Sequence, residues 1–194
     1  MRTNWRYEIT ADELPALMTV EDFKTATGGT LASTDNQISW ALAAVSQAVR
    51  DFCGWHVAPV LECSFTGTGE GRFLKLPTMG VASVSAVTVS GTALNASAYE
   101  WADTGLVRLR CGSFPRAWRA VTVDFEAGYE CAGALGAVVV QMASNALAAA
   151  PGVREEHAGQ VGISYNQTAS GVSGGVRLLE TDKALLDPYR ISEV

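Results

Sequence analysis

The sequence predicts an α+β fold: a helical bundle core, an inserted small antiparallel β-sheet or sandwich subdomain, and an extended C-terminal arm. Three observations lead there. Apolar residues recur with helical spacing over 34–53 and again over 133–149, while residues 57–128 alternate with a period of two. Residues 154–175 are polar and rich in Gly and Ser. The chain accordingly divides into an N-terminal extension at 1–18, a first part of the helical core at 19–56 and a β-rich insertion at 57–128. A second part of the core follows at 129–152, then a flexible Gly/Ser-rich loop or arm at 153–177 and a C-terminal segment at 178–194.

The first helix opens at Thr19, which is placed to cap Val20-Glu21-Asp22, and Gly28-Gly29 ends it. Thr34-Asp35-Asn36-Gln37 has the capping-box spacing, in which the Gln37 side chain reaches back to the Thr34 amide. The helix it starts buries Ile38, Ala41, Leu42, Val45, Val49 and Phe52, and Gly54 supplies a left-handed cap. Trp40 lies off this stripe; its ring either fills the core or seeks a second surface. Strands are expected at 61–66, 72–76, 81–90, 99–101, 106–110 and 120–127, with glycine turns at 67–71 and at Ser90-Gly91-Thr92. The next helix carries a stripe of Leu135, Val138, Val139, Met142, Ala146 and Leu147, and Pro151-Gly152 stops it. A strand is expected at 161–165 and a partly helical segment at 178–189, capped by Thr181.

Composition narrows the function. Of 194 residues, 48% are hydrophobic and 18% charged, so the fold leaves apolar surface over. The net charge of −6 excludes a protein that wraps DNA by neutralising phosphates, and it suits a surface that DNA slides past. Residues 1–8 lack the apolar run of a secretory signal. Residues 131–153 carry no charge over a length that would span a membrane, but they are mostly Ala and Gly, and Gln141, Ser144 and Asn145 share one helical face. A buried helix, with no membrane, is the expectation.

No motif supplies chemistry. Gly171-Val172-Ser173-Gly174-Gly175 has the G-x-S-x-G form, yet a nucleophilic serine needs a strained strand-to-helix turn with a base nearby, and His56 and His157 are the chain's two histidines. Gly67-x-Gly69-x-Gly71 lacks the following helix of a phosphate loop. Cys53, Cys63, Cys111 and Cys131 are too widely spaced for a disulfide framework, and the C-x-x-H spacing of Cys53 and His56 has no second ligand pair. Phe114-Pro115-Arg116-Ala117-Trp118-Arg119 is read as a β-corner with exposed arginines, although an aromatic and basic cluster also fits a nucleic-acid base or phosphate. The expectation is no enzyme, no cofactor and no metal.

The order of elements resembles the head-to-tail connector (adaptor) proteins of long-tailed bacteriophages. The resemblance rests on Thr19-Val20-Glu21-Asp22-Phe23, a long helix ending Phe52-Cys53-Gly54-Trp55, and Leu74-Lys75-Leu76-Pro77 before the strand at 81–89. Val121-Thr122-Val123-Asp124-Phe125-Glu126-Ala127-Gly128-Tyr129 then leads into a helix. It implies a structural virion protein, made in the host cytoplasm, that forms a homo-oligomeric ring of twelve subunits in the neck. Such a ring docks under the portal protein, extends a channel that DNA passes without specific binding, and meets a head-completion, stopper or tail protein. It also implies portal binding by Leu185, Leu186, Tyr189 and Arg190. Lateral contacts between subunits are expected on the two long helices, at Trp40 and at Gln141, Ser144 and Asn145. The alternative is a small terminase-like ring subunit that grips DNA, whose helix-turn-helix would have to lie at 19–53.

Overall fold

The computed structural model describes residues 5–29, 31, 33–130, 133–148, 155–158, 161–164, 167–169, 172–173 and 176–191; between 155 and 173 the description is of backbone alone. The helical bundle core that the sequence predicts is not what forms. Among the described residues the chain is mainly antiparallel sheet, with eight strands in two sheets and four more in two short hairpins, and two of the four α-helices are of seven residues each. The physical reason is that the strands do not depend on the helices for a core. They instead build a unit with its own core, which takes in residues from both ends of the chain. Two compact units result: Met1–Leu14, Gly54–Cys131 and Tyr189–Val194 form one, and Pro15–Cys53 with Ala132–Pro188 form the other.

In the β unit, the five-stranded sheet has the order β1 (Glu8–Ile9), β2 (Leu61–Gly67), β8 (Val121–Ala127), β4 (Val81–Val89), β5 (Thr92–Ala93). Strand β8 is central. It alternates Val121, Val123, Phe125 and Ala127 inward with Thr122, Asp124 and Glu126 outward, and pairs along its whole length with β2 on one side and β4 on the other. Ser90 and Gly91 both have positive φ, 49° and 80°, which is the geometry of the tight β4–β5 hairpin. The second sheet is β3 (Phe73–Lys75), β7 (Leu106–Leu109), β6 (Tyr99–Trp101), with Leu74 and Val107 buried.

Both chain ends are tied to the β unit by specific bonds. Tyr7 is buried beside His56, and Ile9 pairs with Cys63. The Trp55 indole donates to the Tyr189 carbonyl at 2.7 Å, and the Tyr129 ring lies edge-on between those of Trp55 and Tyr189 at 5.6 Å from each.

The other unit packs α1 (Val20–Ala26), α2 (Asp35–Cys53), α3 (Gly133–Ala148) and α4 (Glu180–Leu186). The capping expectations hold at two starts. Thr19 accepts the Asp22 amide, and Gln37 accepts from the Thr34 amide at 2.9 Å while Thr34 accepts from Gln37. The expected Thr181 cap is displaced: α4 begins at Glu180, and the Asp182 carboxylate accepts the Leu179 amide. On α2 two polar side chains are buried among the apolar ones. Ser46 accepts the Leu17 amide and donates to the Leu42 carbonyl, and Arg50 donates to the Pro15 carbonyl at 2.7 Å, so residues 15–17 are strapped along the helix.

Within 153–177 the described backbone forms two short hairpins. Glu155–Ala158 (β9) pairs with Val161–Ser164 (β10), and Gln167–Ala169 (β11) pairs with Val172–Ser173 (β12).

Candidate interaction surfaces

The predicted lateral contacts lie on exposed helix faces. Trp40 is 69% exposed, so its ring is outside the core. On α3, Gln141 is exposed and Ser144 and Asn145 half-buried, with the Gln141 amide donating to Asn145 at 3.1 Å. Leu135, Val138, Val139, Met142 and Ala143 take the inward face.

The four residues given to portal binding separate. Leu186 is fully buried and packs α4, whereas Leu185, one residue earlier, is 49% exposed. The split follows from helix geometry, since consecutive side chains point about 100° apart. Tyr189 is half-buried against Tyr129, and Arg190 is exposed. Leu185, Tyr189 and Arg190 present side-chain surface; Leu186 presents none.

Two surfaces missed by sequence reasoning lie in the β unit. The first is a groove of about 370 Å³ on the outward face of the large sheet, lined by Glu62, Asp124 and Glu126 with Ser64, Ser83 and Ser85. Glu62 stands directly opposite Glu126 across β2 and β8. Ser64 donates to Asp124 at 2.6 Å, and Ser83 to Glu126 at 2.8 Å. The second is the loop between β7 and β8. Phe114 anchors it in the core while Trp118 is 92% exposed, flanked by exposed Arg116 and Arg119. Gly69 lets the backbone pass close to Phe114, where a Cβ would collide with its side chain.

The chemical motifs resolve differently. His56 Nε2 lies 2.8 Å from the Ala127 carbonyl, which can only accept, so this nitrogen carries the proton. Nδ1 then accepts from the Tyr7 hydroxyl at 2.7 Å, and that hydroxyl accepts the His56 amide at 3.1 Å. Both ring nitrogens are engaged, which leaves no lone pair for a metal. Burial pushes the Cys63 thiol up to about 12, away from the thiolate that metals and electrophiles need. Among the described residues, no cluster of His, Cys, Asp and Glu could hold a metal ion, and no helix is long and apolar enough to cross a membrane. Val172–Ser173 form a hairpin strand; Gly171, Gly174 and Gly175 lie outside the described residues. On the small sheet, hydrogen bonding from Arg108 holds the exposed Glu100 carboxyl below the usual range, with the Arg108 and Arg110 charges adding to it. Burial raises the Tyr129 hydroxyl, and neighbouring Tyr189 and Asp103 act in the same direction.

The head completion protein family matches residues 16–142, which run from before α1 through β8 and into α3. The chain belongs to the head completion protein family. Membership makes it a structural component of a phage-type virion, the class implied by the resemblance to head-to-tail connectors. Its fold is also similar to chains of gene transfer agent (GTA) particles. One is from the neck of an empty GTA particle computed with C6 symmetry, at 17% identity and a TM-score of 0.64. A second is from the virion of a native GTA particle, at 18% and 0.61, and a third from the neck of a native particle computed with C12 symmetry, at 16% and 0.56. In all three, 97% of this chain and 96% of the other are covered, so the likeness takes in the whole fold. No curated protein matches the sequence.

Proposed function

We propose that the chain is a non-enzymatic adaptor that forms a closed ring in the virion neck, twelve subunits around the DNA channel, between the portal protein and a stopper or tail protein. The observation that carries this reading is the family match together with a fold shared, end to end, with chains of GTA necks. Twelve subunits accord with the C12 symmetry of one of those necks.

The surfaces are of the right kind. Exposed Trp40 and the small polar face of Gln141, Ser144 and Asn145 suit lateral packing, where aromatic residues are enriched and charged ones depleted. Leu185, Tyr189 and Arg190 are the candidates for the portal contact, while buried Leu186 anchors α4. The acidic balance of the chain lets DNA pass without being gripped.

The test is assembly without this chain. Heads should form and fill with DNA yet fail to join tails, and supplying the protein should restore infectious or transducing particles. Tailed particles made in its absence would refute the reading.

A further inference from the structure

The charge of this chain is unevenly divided. Residues 72–119 hold six of its 14 Lys and Arg but two of its 20 Asp and Glu, a local net charge of +4 against −10 for the rest. The five strands of the large sheet show the opposite bias, with four acids and no Lys or Arg. Like charges placed directly opposite on a sheet, as Glu62 and Glu126 are, destabilise it when nothing compensates them. Ser64 and Ser83 satisfy part of the hydrogen-bonding capacity of Asp124 and Glu126, but hydroxyls carry no charge. The groove is thus shaped and charged for a cationic side chain.

The Trp118 loop carries the complement. Arg116 and Arg119 are exposed and have no ion pair among the described residues, and the Trp118 ring between them is the most exposed large apolar side chain described. Trp and Arg are the residues most enriched at the centres of protein interfaces. A patch and its complement at different places on one subunit generate a head-to-tail contact, which closes into a ring when the rotation allows.

The geometry points to a second copy of this chain as the occupant. The Arg116-Ala117-Trp118-Arg119 loop of one subunit docks on the Glu62, Asp124 and Glu126 groove of the next, with guanidinium groups on the carboxylates and the indole on the adjoining sheet surface. This inference rests on the ring reading above and identifies the surfaces that join its members.

Charge exchange tests it. Arg116→Glu with Arg119→Glu reverses the loop, and Glu62→Arg with Glu126→Arg reverses the groove. Each double variant alone should require at least about tenfold more protein for self-association or for incorporation into neck particles, because each interface then sets like charges together. An equimolar mixture of the two should assemble again, since every loop then meets a groove of opposite charge. Circular dichroism confirms folding, and the milder Glu62→Gln with Glu126→Gln replaces the groove variant if it does not fold. The Gln variant should lose affinity, and rising salt should weaken the wild type in parallel.

Wild-type occupancy of rings by the loop variant would overturn the inference while leaving the ring reading intact. Normal rings combined with lost retention of DNA would assign the loop to DNA and overturn it likewise. A wild-type chain that neither self-associates nor joins neck particles would overturn both.

Discussion

Replacing Tyr7 by Phe tests whether the N-terminal segment is bonded into the core of the β unit. The substitution keeps the ring, and with it the contacts to His56 and Phe125 at 5.9 and 6.2 Å between centroids, but removes one hydroxyl. That hydroxyl donates to His56 Nδ1 at 2.7 Å and accepts the His56 amide at 3.1 Å, all within a buried site. Each lost hydrogen bond costs about 1 kcal/mol net, and a buried polar group left without a partner costs about 1–3 kcal/mol. With two His56 groups affected, the expected loss is about 3 kcal/mol. Urea unfolding should show a lower midpoint with an unchanged slope, and the thermal midpoint of a chain this size should fall by about 6–12 °C. A loss below about 0.5 kcal/mol would refute the reasoning, because the Tyr7 hydroxyl would then not be what satisfies His56 in the buried site.

Four further outcomes are expected. Gly128→Ala should cost about 3 kcal/mol or more, since φ is 129° there and a Cβ would meet the Pro59 carbonyl; urea unfolding checks it. Among Cys53, Cys63 and Cys111, a maleimide at neutral pH should label exposed Cys111 first. Because the folded Cys63 pKa of about 12 exceeds the ordinary 9.0, its contribution to stability is complete below pH 9 and lost as pH rises towards 12, so Cys63→Ser should flatten the alkaline decline. Trp40→Ser should leave the unfolding midpoint within about 0.5 kcal/mol of wild type, yet weaken ring assembly measured by solution mass.

Local structure was readable wherever a few adjacent residues decide it. Tyr99–Trp101 and Val121–Ala127 announced themselves by β-branched and aromatic residues between turns, and Thr34 with Gln37 by a side-chain exchange confined to one turn. Pairing was not readable. Glu8–Ile9 is too short for periodicity, and its place beside Cys63 and Ser64 depends on contacts more than fifty residues away. That omission turned a sheet domain into an apparent insertion. The surfaces divide along the same line. Trp40 stood off the stripe of its own helix and proved exposed, and Leu186 went inward because two consecutive helical residues cannot share one face. The acidic groove draws on Glu62, Ser83 and Asp124 from three strands, which only sheet register unites. One signal for it was present: acids at outward positions of strands that hold no Lys or Arg.

A reconstruction of the neck of particles carrying this chain tests the central claim most directly. The expected result is a closed ring of identical copies of this fold around the DNA channel, in contact with the portal on one side. A neck without density for the fold, or a single copy outside any ring, would contradict it.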